Sequence, residues 1–572
     1  MTGEFTWRWP LDEVQRPEVL GWDGRVDNRE ELLLQLRDLL QGDTSSQALV
    51  RAAYERWGLS GLGRVIGDWS VVIRDPAGRR IVFASDFAGV RPLYYCQRPG
   101  SIVWADRLDT LVSKTRTETL DETFIAAFLL LGACPARTPY AGVHVVAAGQ
   151  IVCVTADGVE LHRLWRPPVA DVIRYSDERR YDEQFLTLFR EGVRARLQTD
   201  APAVAELSGG LDSSAVVCMA SRLIASRSVP CGKIATISYV HRGSLDLPFI
   251  REVEAFCGID GVHLSTHDSA LISAEDMSGA MPAESGPLDR STADAARSMG
   301  ARVFLTGQNG DLATGNWFDD SLQVAAPLRR GQIGRMCRDA LAWSKVTRLP
   351  VLWILARAMR AAIGAPFASP DLYVGGGETK QPQENLSLSA RLRARISAEP
   401  ERLFSREWMH APPERRSHFR ALSLLQELRP LQRPEALRAL DYTHPFAHRP
   451  LVEFLMSVPP DVLCRAGEPR RLMRRALGPM WPAKLRARRS KSLFGVPYFE
   501  VLKPLVGSLL DEREWQVVER GWVDAGSLAS RLQKLRAGLD CNEPQLRQII
   551  LLECWLRNRW PASSCLAAAR AS

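Results

Sequence analysis

The stretch "AELSGGLDSSAVV", Ala205 to Val217, decides the reading of this chain. An apolar run passes through two glycines into a second apolar run that opens with an aspartate and two serines. The first run, Val204–Leu207, is expected to be a short strand, and the residues from about Asp212 a helix. Gly209 and Gly210 remove the side chains that would keep an anion from the backbone N–H groups, and the following helix presents its positive end. Ser208, Ser213 and Ser214 add hydroxyl donors. Asp212 repels a bare phosphate, so it calls for a hard cation such as Mg²⁺ between the two. The stretch therefore reads as a holder of a metal-bound polyphosphate. A capped helix after a glycine turn is the plainer alternative, but the whole string S-G-G-L-D-S after a strand is more specific than that. It is not a Walker A loop, because the Gly-Lys-[Ser/Thr] ending is missing.

A second turn repeats the logic. In "FLTGQNGDLATG", Phe304 to Gly315, the residues Gly307, Gly310 and Asp311 follow the expected strand Val303–Leu305. Taken singly such a loop is more often a surface turn. Paired with the first, it puts Asp212 and Asp311 at neighbouring strand ends, placed to hold Mg²⁺ against one triphosphate.

The chain around these loops has 572 residues, too many for one ordinary core, so at least two domains are expected. With 46% apolar and 24% charged residues it is globular in composition, and its net charge of +8 suits anionic ligands without specifying one. Eleven cysteines without a C-x-x-C pair read as free thiols in a reducing, cytoplasmic setting, not as a disulfide or zinc framework. The longest apolar run, Phe124 to Cys134, is too short to span a bilayer, and no secretory signal opens the sequence.

Before residue 165 the signals are mostly strands. Gly67 to Asp86 predicts a hairpin around Asp75-Pro76-Ala77-Gly78, and "GQIVCVTADGVELHRLW" a second around Asp157-Gly158. "RPP" at Arg166 to Pro168 marks a linker. Beyond it Phe185, Phe189, Val193 and Leu197 keep a helical period, and short strands, including Ile234–Val240, alternate with helices. That alternation predicts a parallel sheet with ligands beyond the carboxyl ends of its strands. After residue 320 the chain reads as mainly helical. It carries an amphipathic stretch, Val351 to Gly364, read as packed against the protein, and a glycine-rich interruption over 373–385.

The first loop resembles the pyrophosphate loop of enzymes that split ATP to AMP and pyrophosphate, and the chain as a whole resembles the asparagine synthetase family. "GWDGRVDNREEL", "GDWSVVIRD" and "SDFAGVRPLYY" are similar to the family's glutaminase-domain framework, and Ser208–Ser214 with Gly307–Asp311 to its ATP site. "LDYTHPFAHRPLVEF", Leu440 to Phe454, resembles the family segment L-E-x-R-x-P-F-x-D-x-x-L-V-E-F. "RRSKSLFGVP", Arg488 to Pro497, resembles the stretch whose lysine meets the phosphates, which implies that role for Lys491. The plain alternative for Lys491 is one more charge in the basic run Arg465 to Lys491. The resemblance implies ATP and Mg²⁺ as cofactors and Gln308 beside the attacking amine, where relatives carry Glu or Tyr.

The departures carry more information than the matches. Glutamine-using members begin Met-Cys and use that cysteine as nucleophile, whereas this chain reads Met1-Thr2-Gly3. Asp23 stands where the glutamine site wants asparagine, Thr443 and His448 replace an Arg and an Asp, and one or two strands and a helix of the family's glutaminase domain have no counterpart. The expectation is a degenerate glutaminase-like α+β sandwich over residues 1–165, followed over 166–572 by an ATP-pyrophosphatase-type α/β synthetase domain with a large helical part. Without ammonia production another amine is needed, and the substrate can supply it intramolecularly.

Two branches of the family work that way, β-lactam synthetases and lasso-peptide macrolactam synthetases. The lasso branch is the closer resemblance, through the missing cysteine, the long helical insertion from Asn316 to Ser423 and the ending "IILLECWLRNRW", Ile549 to Trp560. It implies a precursor peptide as substrate, with a leader peptidase and a leader-binding protein as pathway partners. A small-molecule amide or β-lactam synthetase is the alternative enzyme, and an inactive scaffold or nucleic-acid binder the alternative of another class. The basic run lacks the aromatic interleaving of a nucleic-acid groove, so no nucleic acid is expected.

Overall fold

The computed structural model describes residues 1–7, 16–131, 137–168, 172–241, 243–266, 279–282, 287–316, 319–363, 388–398, 411–428, 433–488, 515–537 and 544–560. The predicted hairpins form as β3 (Trp69–Asp75) with β4 (Arg80–Ser85), and β8 (Gln150–Val154) with β9 (Val159–Arg163). With β2 (Glu18–Gly24) they make an antiparallel sheet in the order β2-β3-β4-β8-β9. Their period of two sorts the side chains into two cores. Val72, Ile81, Phe83, Val152 and Val154 face a second antiparallel sheet, meeting its Tyr95, Ile102 and Trp104. Val71, Ile73, Val82, Ala84 and Ile151 face the other way, onto Leu32, Leu36 and Leu40 of the helix Arg29–Leu40 and Leu49 and Ala53 of the helix Ser46–Trp57.

The second sheet runs β1 (Thr2–Thr6), β6 (Ser101–Ala105), β5 (Tyr94–Arg98), β7 (His144–Val145). Its outer face packs on the helices Leu108–Thr115 and Glu122–Leu131, so the layers are helix, sheet, sheet, helix. The helix Pro544–Arg559 joins this outer layer, burying Ile549, Leu552, Trp555 and Leu556. The residues of "IILLECWLRNRW" are therefore core of the first layered unit, although more than three hundred residues separate them from it in sequence.

The remaining strands form one wholly parallel sheet in the order β12 (Gly261–Ser265), β11 (Ile234–Val240), β10 (Ala203–Glu206), β13 (Val303–Leu305), β14 (Asp441–Thr443). Both faces are covered, which is why β10 and β13 read as unbroken apolar runs. Ala203, Ala205, Val303 and Leu305 lie against the helices Arg179–Arg196 and Leu211–Ala225, while Val204 and Phe304 lie against Ala293, Ala296 and Tyr442. From β10 the chain builds outward to β11 and β12, then returns to place β13 on the other side of β10. The order reverses between β10 and β13, and such a switch point opens a crevice beyond the carboxyl ends of the two strands. The two glycine turns of the sequence leave from those ends.

The parallel sheet meets the first unit through buried charge. Asp68, 2% exposed, accepts from Arg25 Nη2 (2.8 Å), Arg196 Nη2 (3.0 Å) and Thr443 Oγ1 (2.8 Å). Asp27 accepts from Arg25 Nε (2.6 Å) and lies 3.3 Å from His448 Nδ1. Burial pushes the Asp27 carboxyl up, but Arg25, His448 and Arg196 hold it down at about 2. Thr443 and His448, the two departures from the family segment, thus belong to the contact between the two units.

In the helical part, Ile354, Ala358 and Ala361 of the helix Val351–Ala362 pack inward, and Arg357 reaches Asp319 at 2.7 Å. The packing expected of this stretch holds on that face, whereas Leu352, Met359 and Ile363 are exposed. The glycine-rich 373–385 segment lies outside the described residues. Among those described, no helix is long and apolar enough to cross a membrane.

Asp320 is buried between Gln323 and Ser417, and burial pushes its carboxyl from 3.8 up to about 7 against the hydrogen bonds of those two residues. The folded chain holds this proton where the unfolded chain has lost it. Its contribution to stability is therefore full below pH 3.8 and is lost as pH rises to about 7. The urea midpoint should fall more steeply over that window in the native protein than in Asp320→Asn. Parallel profiles would refute this.

Candidate functional site

The loop after β10 is held by its own hydroxyls. Ser208 N donates to Ser213 Oγ at 3.1 Å, the two hydroxyls are 3.1 Å apart, and Ser213 Oγ donates to Gly210 O at 3.4 Å. Gly209 has φ +69°, a left-handed conformation that suits glycine. Its carbonyl accepts from Arg488 Nη1 at 2.7 Å, and the Arg488 guanidinium also pairs with Asp246 and lies over the Phe249 ring. Arg488 therefore fixes the turn from outside.

The loop after β13 packs directly against the first. A Cβ on Gly307 would come within 2.5 Å of Ser213 N, and one on Gly310 within 2.4 Å of the Asp212 carboxyl carbon. Both positions must be glycine for the loops to approach this closely. Asn309, at φ +69°, caps the short helix Gly310–Ala313 and donates from Nδ2 to Phe446 O at 2.9 Å. Asp311 then points back at Asp212, and one nitrogen, Arg470 Nη2, serves both carboxylates: it lies 3.0 Å from Asp212 Oδ2 and contacts Asp311 Oδ1.

A cavity of about 240 Å³ opens over this pair, lined by Glu206, Ser208, Asp212, Gln308, Asp311 and Arg474 among others. The donor set fits Mg²⁺, which binds through one or two carboxylates and otherwise through phosphate oxygens and water. Carboxylate oxygens are hard donors, and a positive charge already sits between them. Among the described residues no group of three or more His, Cys, Asp or Glu gathers to form a cage for a metal.

The structure thus brings Ser208, Gly210, Asp212, Ser213, Gly307, Gln308 and Asp311 to one cavity wall. Gly209 and Gly310 act behind it, by conformation and close approach. Ser214 does not join them: it is fully buried in the helix Leu211–Ala225 and is not on the cavity wall. One residue of helix rotates it about 100° from Ser213, which turns its hydroxyl away from the cavity. Lys491 lies outside the described residues. Gln308 donates from Nε2 to Tyr442 OH at 3.1 Å, and its Oε1 is buried with no hydrogen-bond partner.

Sequence reasoning missed Arg470, Arg474 and Arg488, which line the cavity. All three fall in the basic run from Arg465, whose other members Arg465, Arg471 and Arg475 pair with Glu178 away from the cavity. In the first unit, the described thiols are Cys96 and Cys153. Both are buried, and burial pushes Cys96 up and Cys153 to about 11. Neither is an activated nucleophile.

The family model for asparagine synthase matches residues 184–557, and that for a glutamine amidotransferase domain matches residues 8–165. The chain is 26% identical over 332 residues to the amidase chry2 of Gibberella zeae, an alignment covering 52% of this chain and 46% of that one. It is 24% identical to asparagine synthetase [glutamine-hydrolyzing] 3 of Bacillus subtilis, over 35% of this chain and 33% of that one. With the asparagine synthetase [glutamine-hydrolyzing] of Zea mays it shares 25% identity, over 54% of this chain and 50% of that one. The chain therefore spans about a third to a half of the length of these relatives.

Proposed function

The chain belongs to the asparagine synthase family, and from that footing we propose that it is an ATP-dependent, AMP-forming amide ligase that closes a macrolactam in a ribosomal precursor peptide. A side-chain carboxylate of an Asp or Glu attacks the α-phosphorus of ATP, and the bond to pyrophosphate breaks. The peptide's N-terminal amine then attacks the acyl carbon, AMP leaves, and the nitrogen gives up its proton. The observation that carries the first step is the meeting of two glycine loops at a strand-order reversal, with Asp212 and Asp311 side by side and arginines around them.

Each residue has a part in this reading. The Ser208–Gly210 turn receives the phosphates through backbone N–H groups, and Ser213 holds that turn in shape. Bound Mg²⁺, held by Asp212 and Asp311, would neutralise charge on the triphosphate. Lys491, beyond the described residues, is the positive charge that meets the phosphates as charge develops on them. Gln308 Oε1 accepts a hydrogen bond from the amine and so orients it. An amide takes no proton, and Gln308 positions the nucleophile without acting as its base.

The sealed thiols Cys96 and Cys153 favour a tethered amine over ammonia released from glutamine. Holding both reacting ends in one site supplies an effective concentration of about 10⁵ M or more, so an intramolecular amine suffices. A leader peptidase and a leader-binding protein are the partners that such a substrate requires. A second reading, a small-molecule amide or β-lactam synthetase, uses the same adenylating site and differs only in the acceptor.

One incubation tests both. The full chain with Mg·ATP and a leader-free precursor peptide should yield AMP and pyrophosphate, together with a peptide lighter by one water. Tandem mass spectrometry should map the loss to a bond between the N-terminal amine and an internal Asp or Glu. Glutamine and ammonia should not stimulate the reaction. Release of ADP would overturn the adenylating step. Formation of asparagine, or cyclisation of a small amino acid with every peptide ignored, would overturn the peptide substrate alone.

A further inference from the structure

Arg470 is the least expected member of the site. It precedes the helix Arg471–Leu477 at φ +55° and ψ +36°, a left-handed conformation that few non-glycine residues adopt. Its N–H donates to Gly315 O at 3.1 Å and its carbonyl accepts from Arg474 N at 2.9 Å, which locks that conformation at both ends. The backbone thereby carries the side chain to the strand ends, where Nη2 makes the nearest contact with both aspartates. The rest of the fork is less engaged: Nε is buried and has no hydrogen-bond partner. A guanidinium permanently committed to two carboxylates would be expected to use its bidentate edge. Here the nearest nitrogen to both carboxylates is the same one, Nη2, and the buried Nε is without a hydrogen-bond partner, so the group sits between two acidic groups as a cation would.

We infer that Arg470 is a positioning residue with two stations. In the empty site its guanidinium stands in for the divalent cation and holds Asp212 and Asp311 together. When Mg²⁺ enters with the triphosphate, the guanidinium yields the carboxylates and turns its fork to the phosphate oxygens. Metal alone then competes with a tethered internal cation, whereas metal with nucleotide gives that cation a new partner. Loading of metal and nucleotide is therefore cooperative, and the site does not hold a metal before its nucleotide arrives. This rests on the reading of the cavity as a metal–nucleotide site, but not on which amine or acid reacts.

The test uses the full chain with Mn²⁺ as probe, followed by electron paramagnetic resonance, with and without a non-hydrolysable ATP analogue. Arg470→Gly removes the side chain and also suits the backbone conformation, and Arg470→Gln keeps a polar side chain of moderate length. Both should bind Mn²⁺ alone on the order of 10-fold more tightly than the native chain, because the internal competitor is gone, and Mn²⁺ with the analogue on the order of 10-fold more weakly. Arg470→Lys, which keeps the charge, should restore the native order. Unchanged or weaker binding of Mn²⁺ alone in both the Gly and Gln variants would overturn the stand-in role while leaving the metal–nucleotide reading in place. A native chain that binds neither Mn²⁺ nor the analogue would overturn both.

Discussion

Asp68→Ala is expected to cost the fold about 3–5 kcal/mol, the loss typical of removing one partner from a buried ion pair. Both oxygens of Asp68 are in use, and three donors from three separate parts of the chain converge on them. Arg196 is wholly buried and makes its closest charge contact with this carboxylate. Truncation would leave Arg25 and Arg196 facing each other with Asp27 as their shared near counter-ion, and would strand the Thr443 hydroxyl. Asp68→Asn keeps the shape and an acceptor for Thr443 but removes the charge, so most of the loss should remain. By contrast Asp294→Ala, which breaks an exposed pair with Arg297, should stay within about 0.5 kcal/mol. Denaturant unfolding of the three variants checks the ranking, and an Asp68→Ala chain within about 1 kcal/mol of the native one would show that the cluster is better solvated than its burial implies. The same network gives the acid side of the stability profile. The Asp27 carboxyl is held at about 2 in the folded chain, so its contribution is present above pH 3.8 and is lost as pH falls through about 2.

The parts of this architecture that were legible in the sequence are those with strong local signals. β10 and β13 stood out as short apolar runs ending at glycine turns, β11 as a further strand, and the two hairpins of the first unit as strand-like runs around Asp-Pro and Asp-Gly turns. β12 and β14 were missed. β14 is three residues long and carries a buried threonine, so it has no period to detect, and its partner β13 lies some 140 residues earlier. The placement of Pro544–Arg559 was equally hidden. The amphipathic signal of a helix says that it packs, not what it packs against, and this one covers a sheet at the other end of the chain.

At the site, the spacing of glycines and aspartates in two loops pointed to Asp212, Ser213, Gly307 and Asp311. Ser214 was grouped with them because adjacent hydroxyls look alike in sequence, while a helix turns them to different sides and leaves Ser214 buried off the cavity wall. The arginines were invisible for another reason. A basic residue in a basic run carries no local mark of function, and only the left-handed backbone at Arg470 and the ring beneath Arg488 single them out.

Replacing Asp212 with alanine should reduce AMP formation on the order of 10²–10³-fold, the range seen when a preorganised electrostatic group is removed from a charged transition state. Asp311→Ala should act in the same direction but less severely. The two carboxylates differ in setting: the Asp212 side chain is 13% exposed and pressed against Gly310, whereas that of Asp311 is 53% exposed and shares Oδ1 with Asn316 at 2.9 Å. Water can take the place of a ligand at the open Asp311 position but not at the enclosed Asp212 position. Raised Mg²⁺ should therefore recover part of the turnover in Asp311→Ala and almost none in Asp212→Ala. Folding should survive both changes, since Arg470 keeps one of its two carboxylates in each variant and neither aspartate packs in a hydrophobic core. Pyrophosphate release across a Mg²⁺ series, read beside melting curves, separates the cases. Near-native turnover in Asp212→Ala would remove the carboxylate from the metal-holding pair, and a collapse of melting temperature in both variants would make the pair a structural clasp for the two loops.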